Sequence, residues 1–126
     1  MKASTREWIK KAESDWLVAV SLTRRRKIPV HDHACFHFQQ SAEKYLKARL
    51  EEANLHFPKT HDLEELVRLC LGIEPLWSAL SSAGKRLTKF GVRFRYPGNE
   101  ATAAEMKTSH QDAKAIRAEA RAALGL

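Results

Sequence analysis

Residues 38–47 read FQQSAEKYLK, and the placement of this stretch decides how the chain is folded. On a helix, Phe38, Ala42, Tyr45 and Leu46 fall on one apolar side, and Cys35 and Leu50 extend that stripe at the same spacing. The periodicity predicts a helix from about Asp32 to Ala53. Gln39, Glu43 and Lys47 stand on its far side, one turn apart, with Glu43 and Lys47 in the favoured order for an i,i+4 ion pair. Gln40, Lys44 and Lys47 follow a polar edge beside the apolar stripe. Two readings stay open: a solvated, salt-bridged helix face, or partly buried polar groups that need specific partners.

Outward from this helix, the rest of the chain reads the same way. Ser4 with Glu7 three residues later forms the pattern of a capping box. Trp8, Ala12, Trp16, Ala19 and Val20 then repeat at helical spacing up to the basic run 24–27, RRRK, which suits a helix C-terminus ahead of Pro29. After a loop over 54–59, Thr60 is placed to cap a third helix, with Asp62 and Glu64 in its first turn. That helix buries Leu63, Leu66, Val67 and Cys70 and stops at Gly72. A fourth starts at Pro75, turns Leu76, Trp77, Leu80, Ala83 and Leu87 inward, and fades near Gly91. GVRFRYPGN, 91–99, reads as a loop. Thr102 and Glu105 make a second capping box for a last helix along Ala104, Ala113, Ile116, Ala120 and Leu124. No segment alternates with period two. The expectation is an all-α fold, an antiparallel up-and-down bundle of about five helices forming one domain over 1–126.

Bulk properties bound the function. A chain of 126 residues with 44% hydrophobic and 29% charged residues is of ordinary one-domain size and composition. Its formal charge is +7, with a pI near 9.7, compatible with an anionic partner or with a simply soluble basic surface. Cys35 and Cys70 sit in apolar helical patterns and read as buried free thiols of a reducing compartment. Neither a secretory h-region nor an apolar run of membrane-spanning length is present, so the reading is a cytoplasmic protein without a membrane. No glycine-rich phosphate loop, H-E-x-x-H, G-x-S-x-G or Cys/His ligand set occurs. His31, His33 and His37 lack a completing ligand set, so neither a metal nor a cofactor is expected.

The loop VRFRYP offers different chemistry. Arg93 and Arg95 supply forks for phosphate, and Phe94 and Tyr96 supply faces for stacking. The same residues could instead form a turn whose aromatics pack on the bundle. His61, in the first turn expected of the third helix, can serve chemistry or structure.

Three pieces in order, FQQSAEKYLKARL, PKTHDLEELV and FRYP, together with Trp8, Ala12 and Asp15 in a W-x-x-x-A-x-x-D spacing, resemble the HEPN domain (higher eukaryotes and prokaryotes nucleotide-binding). The resemblance covers nearly the whole chain. It implies a bundle of about five helices, commonly a homodimer, often paired with a minimal nucleotidyltransferase as a toxin–antitoxin-like couple. Many HEPN proteins are metal-independent ribonucleases with an R-x(4–6)-H motif. Arg26 and His31 satisfy that spacing, but between the first two helices rather than near a later one. After Arg93 and Arg95 the next histidine is His110, too distant for the motif. The leading expectation is therefore a nucleotide- or RNA-binding module. In it Arg93 and Arg95 hold phosphate, Tyr96 stacks, Lys44 and Lys47 add charge, and Gln40 and His61 supply hydrogen bonds. A ribonuclease toxin using Arg26 with His31, or Arg95 with His61, is the second reading. A noncatalytic dimerising adaptor, with Arg95 paired to Glu43 or Asp62, is the third.

Overall fold

The structure, a computed structural model, describes residues 1–91, 97–98 and 100–126. The described residues form five α-helices: α1 (Ala3–Thr23), α2 (His31–Glu52), α3 (Leu63–Cys70), α4 (Ser81–Thr88) and α5 (Ala103–Ala123). Short 3-10 segments at Pro75–Leu80 and Lys89–Gly91 flank α4. The described residues include no strand.

Helix α2 is the axis, packing against every other helix. Phe38, Tyr45, Leu46 and Leu50 are fully enclosed, together with Leu63 and Leu66 of α3, Leu87 of α4 and Ile116 of α5. Each such side chain contributes about 1.5–3 kcal/mol by leaving water. Ala12 and Ala19 of α1, and Ala113 and Ala120 of α5, are buried too, and their small size lets the helices approach α2 closely.

Side-chain pairs give the directions. Lys2 at the start of α1 meets Glu51 at the end of α2, and Asp15 meets His37 and Lys44, so these two helices are antiparallel. The direction of α3 follows α2, with His61 beside Glu43 and Glu74 beside Arg49. This is possible because residues 53–62 run back along α2 before α3 begins. Contacts of His31 with Met106 and of Tyr45 with Arg121 make α5 run with α2 as well. The bundle thus departs from plain up-and-down alternation at the 53–62 connection.

The helix boundaries match the sequence pattern closely, while several local devices differ. Thr102 and Glu105 form the expected capping box. Ser4 does not cap: α1 starts at Ala3, and Ser4 Oγ donates to Glu51 Oε1 at 2.7 Å. Asp62, not Thr60, caps α3, accepting from the backbone of Glu64 and Glu65, since a carboxylate is the stronger acceptor at a helix N-terminus. Leu76, expected inside, is 87% exposed. The 3-10 turn brings Trp77 and Leu80, three residues apart, onto the inner face and leaves Leu76 outside. Ala104 is exposed because it lies nine residues, about two and a half turns, ahead of Ala113 on the opposite side of α5, and Leu124, the C-cap of α5, is half-buried.

Candidate functional site

The far side of α2 is not a solvated face. Gln39, Glu43 and Lys47 are 0%, 3% and 6% exposed, with Gly91 packed on Gln39, His61 on Glu43 and the Trp8 ring beside Lys47. Burying charge this deeply requires partners, and each group has one. Lys47 Nζ donates to Glu43 Oε2 at 3.1 Å and also lies 5.6 Å from the Trp8 ring centroid. His61 Nδ1 lies 2.8 Å from Glu43 Oε1, and Gln39 Nε2 donates to the same oxygen at 3.2 Å. Gln39 Nε2 also reaches the His61 carbonyl at 3.2 Å, and Gln40 Nε2 donates to Gln39 Oε1 at 2.7 Å.

A carboxylate facing Nδ1 requires the proton there, which makes Nε2 the acceptor of a neutral His61. Among the described residues Nε2 has no partner, and the side chain is 64% exposed. Glu43 therefore orients, from inside the protein, an imidazole that faces water.

A second cluster lies further along the same helix. Asp15 of α1 takes a hydrogen bond from His37 Nδ1 at 2.8 Å through one oxygen and from Lys44 Nζ through the other. Gln40 sits one turn from both His37 and Lys44, so a continuous polar ridge runs along α2 from His37 to Lys47. On the α5 side, Arg117 makes a paired hydrogen bond to Glu13, which also accepts from Tyr45 Oη. The Arg117 bonds hold the Glu13 carboxyl below its usual range, and burial pushes the Tyr45 hydroxyl up.

The sequence-predicted residues sort as follows. Gln40, Lys47 and His61 belong to the Glu43 network. Lys44 is tied to Asp15, so both lysines already have an acid partner. Arg26 is exposed between α1 and α2, while His31 opens α2 with Nδ1 3.3 Å from Met106 Sδ. Among the described residues no hydrogen bond joins Arg26 to His31. Arg93, Arg95 and Tyr96 lie outside the described residues, as does any pairing of Arg95 with Glu43 or Asp62. No set of three potential metal ligands comes together among the described residues. Sequence reasoning missed Asp15 and His37 as partners of Lys44. The D of the W-x-x-x-A-x-x-D spacing was the available signal, since an acid on the inner side of an amphipathic helix needs a counter-charge.

The HEPN domain family model matches residues 5–123, nearly the full length. The chain belongs to the HEPN family. This HEPN chain also superposes on the crystal structure of TT1696 from Thermus thermophilus with a TM-score of 0.83. The match covers 97% of this chain and 99% of that one at 22% identity, a likeness of fold. No match was found among curated proteins. Among the described residues of this HEPN domain, no helix is long and apolar enough to cross a membrane.

Proposed function

We propose that this HEPN domain is a nucleotide- or RNA-binding module whose site is made by Gln40, Lys44, Lys47, His61, Arg93, Arg95 and Tyr96. The observation that supports this reading is the position of Gly91, the described residue before 92–96, against the α2 network. Gly91 packs directly on the Gln39 side-chain amide, where an added Cβ would come within 3.3 Å. Arg93 is two residues further on, at most about 7 Å of chain away. Ala101, past the segment, donates its backbone N–H to Asp32 on α2. In this reading Arg93 and Arg95 hold phosphate, Tyr96 stacks on a base, and His61 Nε2 supplies a hydrogen bond. Lys44 and Lys47, paired with acids, supply local field and hold the ridge in place.

Fluorescence anisotropy with a labelled RNA oligonucleotide, and calorimetry with mononucleotides, tests the assignment. Arg95→Ala is expected to weaken binding at least tenfold, about 1.4 kcal/mol. Unchanged affinity in a folded Arg95→Ala protein removes Arg95 from the site.

A ribonuclease reading draws on the His61–Glu43 pair, which leaves Nε2 free to take a proton from an RNA 2′-hydroxyl while Arg95 steadies phosphate charge. Incubation of purified protein with RNA in chelator decides this, with His61→Ala as the control. Intact RNA after prolonged incubation would sink it. We further propose that the domain acts as a homodimer beside a nucleotidyltransferase, as a toxin–antitoxin-like pair. Light scattering of the purified chain and its co-purification with such a partner address those two points separately.

A further inference from the structure

The bond between His61 and Glu43 is not one that folding demands. Water satisfies an exposed imidazole, and Lys47 already balances the Glu43 charge through Oε2. What the bond does is fix the ring. Glu43 Oε1 holds Nδ1 at 2.8 Å, while Gln39 Nε2 donates to the His61 carbonyl at 3.2 Å and holds the main chain of the same residue. The start of α3 contributes nothing to this arrangement. Leu63 N–H donates to Thr88 Oγ1, and the N–H groups of Glu64 and Glu65 donate to Asp62. Four other histidines give the comparison. His37 also faces a carboxylate, Asp15, but its side chain is only 29% exposed and its ring lies edge-on to Phe36. His110 is stacked on Phe38, and His31 Nδ1 faces the Met106 sulfur rather than an acid. His56 is exposed, but no carboxylate among the described residues holds its ring. His61 combines an open Nε2 with a buried carboxylate on Nδ1.

We propose that His61 is a modification site, accepting a phosphoryl group on Nε2 from a donor of the phosphoramidate class, such as a phosphorylated histidine of another protein. The assignment is independent of what the domain binds. A free imidazole divides its proton between the two nitrogens. Here the carboxylate keeps the proton on Nδ1, so the lone pair stands at Nε2, towards water. That lone pair forms the new N–P bond as the donor's own P–N bond breaks. The departing amine keeps the bonding pair and the proton it already carries, and nothing is oxidised or reduced. One N–P bond replaces another, so the exchange is close to balance and needs no further energy source. The ring becomes an imidazolium with its Nδ1 proton still on Glu43, whose charge offsets it. Glu43 is thus a positioning residue, and Nε2 is the reacting atom. Lys59, exposed two residues ahead of His61, is the closest cation along the chain to the added phosphate.

The test incubates the wild-type chain with potassium phosphoramidate at neutral pH. Phosphorylation of each histidine is followed by mass spectrometry of peptides prepared without acid, and the ring position by phosphorus NMR of the intact protein. His61 should react about tenfold faster than His56, with the resonance of an Nε2 adduct. Similar rates at the two histidines, or an adduct on Nδ1, overturn the inference. His61→Ala should remove that resonance, and its persistence in the variant overturns the inference too. Glu43→Gln keeps an oxygen for Nδ1 without the charge, and should slow His61 about tenfold while leaving His56 as it was. An unchanged His61 rate in a folded Glu43→Gln chain means that the carboxylate does not prepare the ring, which also overturns the inference. The ratio of His61 to His56 within the wild-type chain decides the matter even where Glu43→Gln fails to fold.

Discussion

Helix α2 carries two carboxylate–histidine–lysine trios that share a chemistry and differ in depth. Asp15 joins His37 and Lys44 across the α1–α2 seam, where all three side chains are partly wet. Glu43 joins Lys47 and His61, but the acid and the lysine are interior and only the histidine meets solvent. In the seam, water can replace any missing partner. In the interior it cannot, and removing one member strands the other. The same three residue types therefore act as a tie in one place and as a buried support for a surface imidazole in the other.

Removing the two acids tests that contrast directly. Glu43→Ala leaves the Lys47 ammonium buried without a counter-charge and should lower unfolding free energy by about 3–5 kcal/mol in urea titration. Asp15→Ala leaves half-wet partners and should lower it by about 1–2 kcal/mol. Similar losses from both would erase the distinction in depth. His61→Ala should shift stability by under about 0.5 kcal/mol, since the imidazole is mostly exposed and Glu43 keeps Lys47 and Gln39. A large loss would mean that His61 belongs to the core.

A histidine without any carboxylate gives the smallest effect. His110 lies stacked on Phe38 at 4.8 Å, with Trp16 edge-on at 5.4 Å. Burial, with a smaller push from Lys114, lowers its pKa below the usual 6.5. The unfolded chain therefore takes up this proton first as pH falls. The contribution is present above the unfolded value and is lost as pH drops through the folded one. Melting temperature should decline modestly from pH 7 to pH 5, and His110→Phe should flatten that part of the profile. Glu13, also held below its usual range, acts at lower pH, with its stabilisation fading below about 4.5.

The sequence showed the helices well because Phe38, Tyr45, Leu46 and Leu50 repeat with the period of a helix against a core. It misread Leu76 because a 3-10 turn rotates side chains differently from an α-helix, and periodicity does not say which is present. The candidate site was half legible. QQ-x-x-EK and THDL stood out as polar words, yet whether Glu43 is wet depends on the path of residues 54–62. That path is a tertiary fact without a local period. Asp15 stayed hidden for the same reason: its partners are 22 and 29 positions away along the chain.

The hydrogen bonding at the start of α1 bears on the order of folding. The Lys2 backbone N–H and the Thr5 hydroxyl both donate to Glu52 Oε1, at 3.0 and 2.9 Å. The first helix thus receives its cap from the last residue of the second rather than from its own sequence. Until residue 52 is made and folded back, the Lys2 N–H and the Thr5 hydroxyl lack this acceptor. A nascent chain on the ribosome would keep this end frayed, and α1 would close from its middle toward its tip.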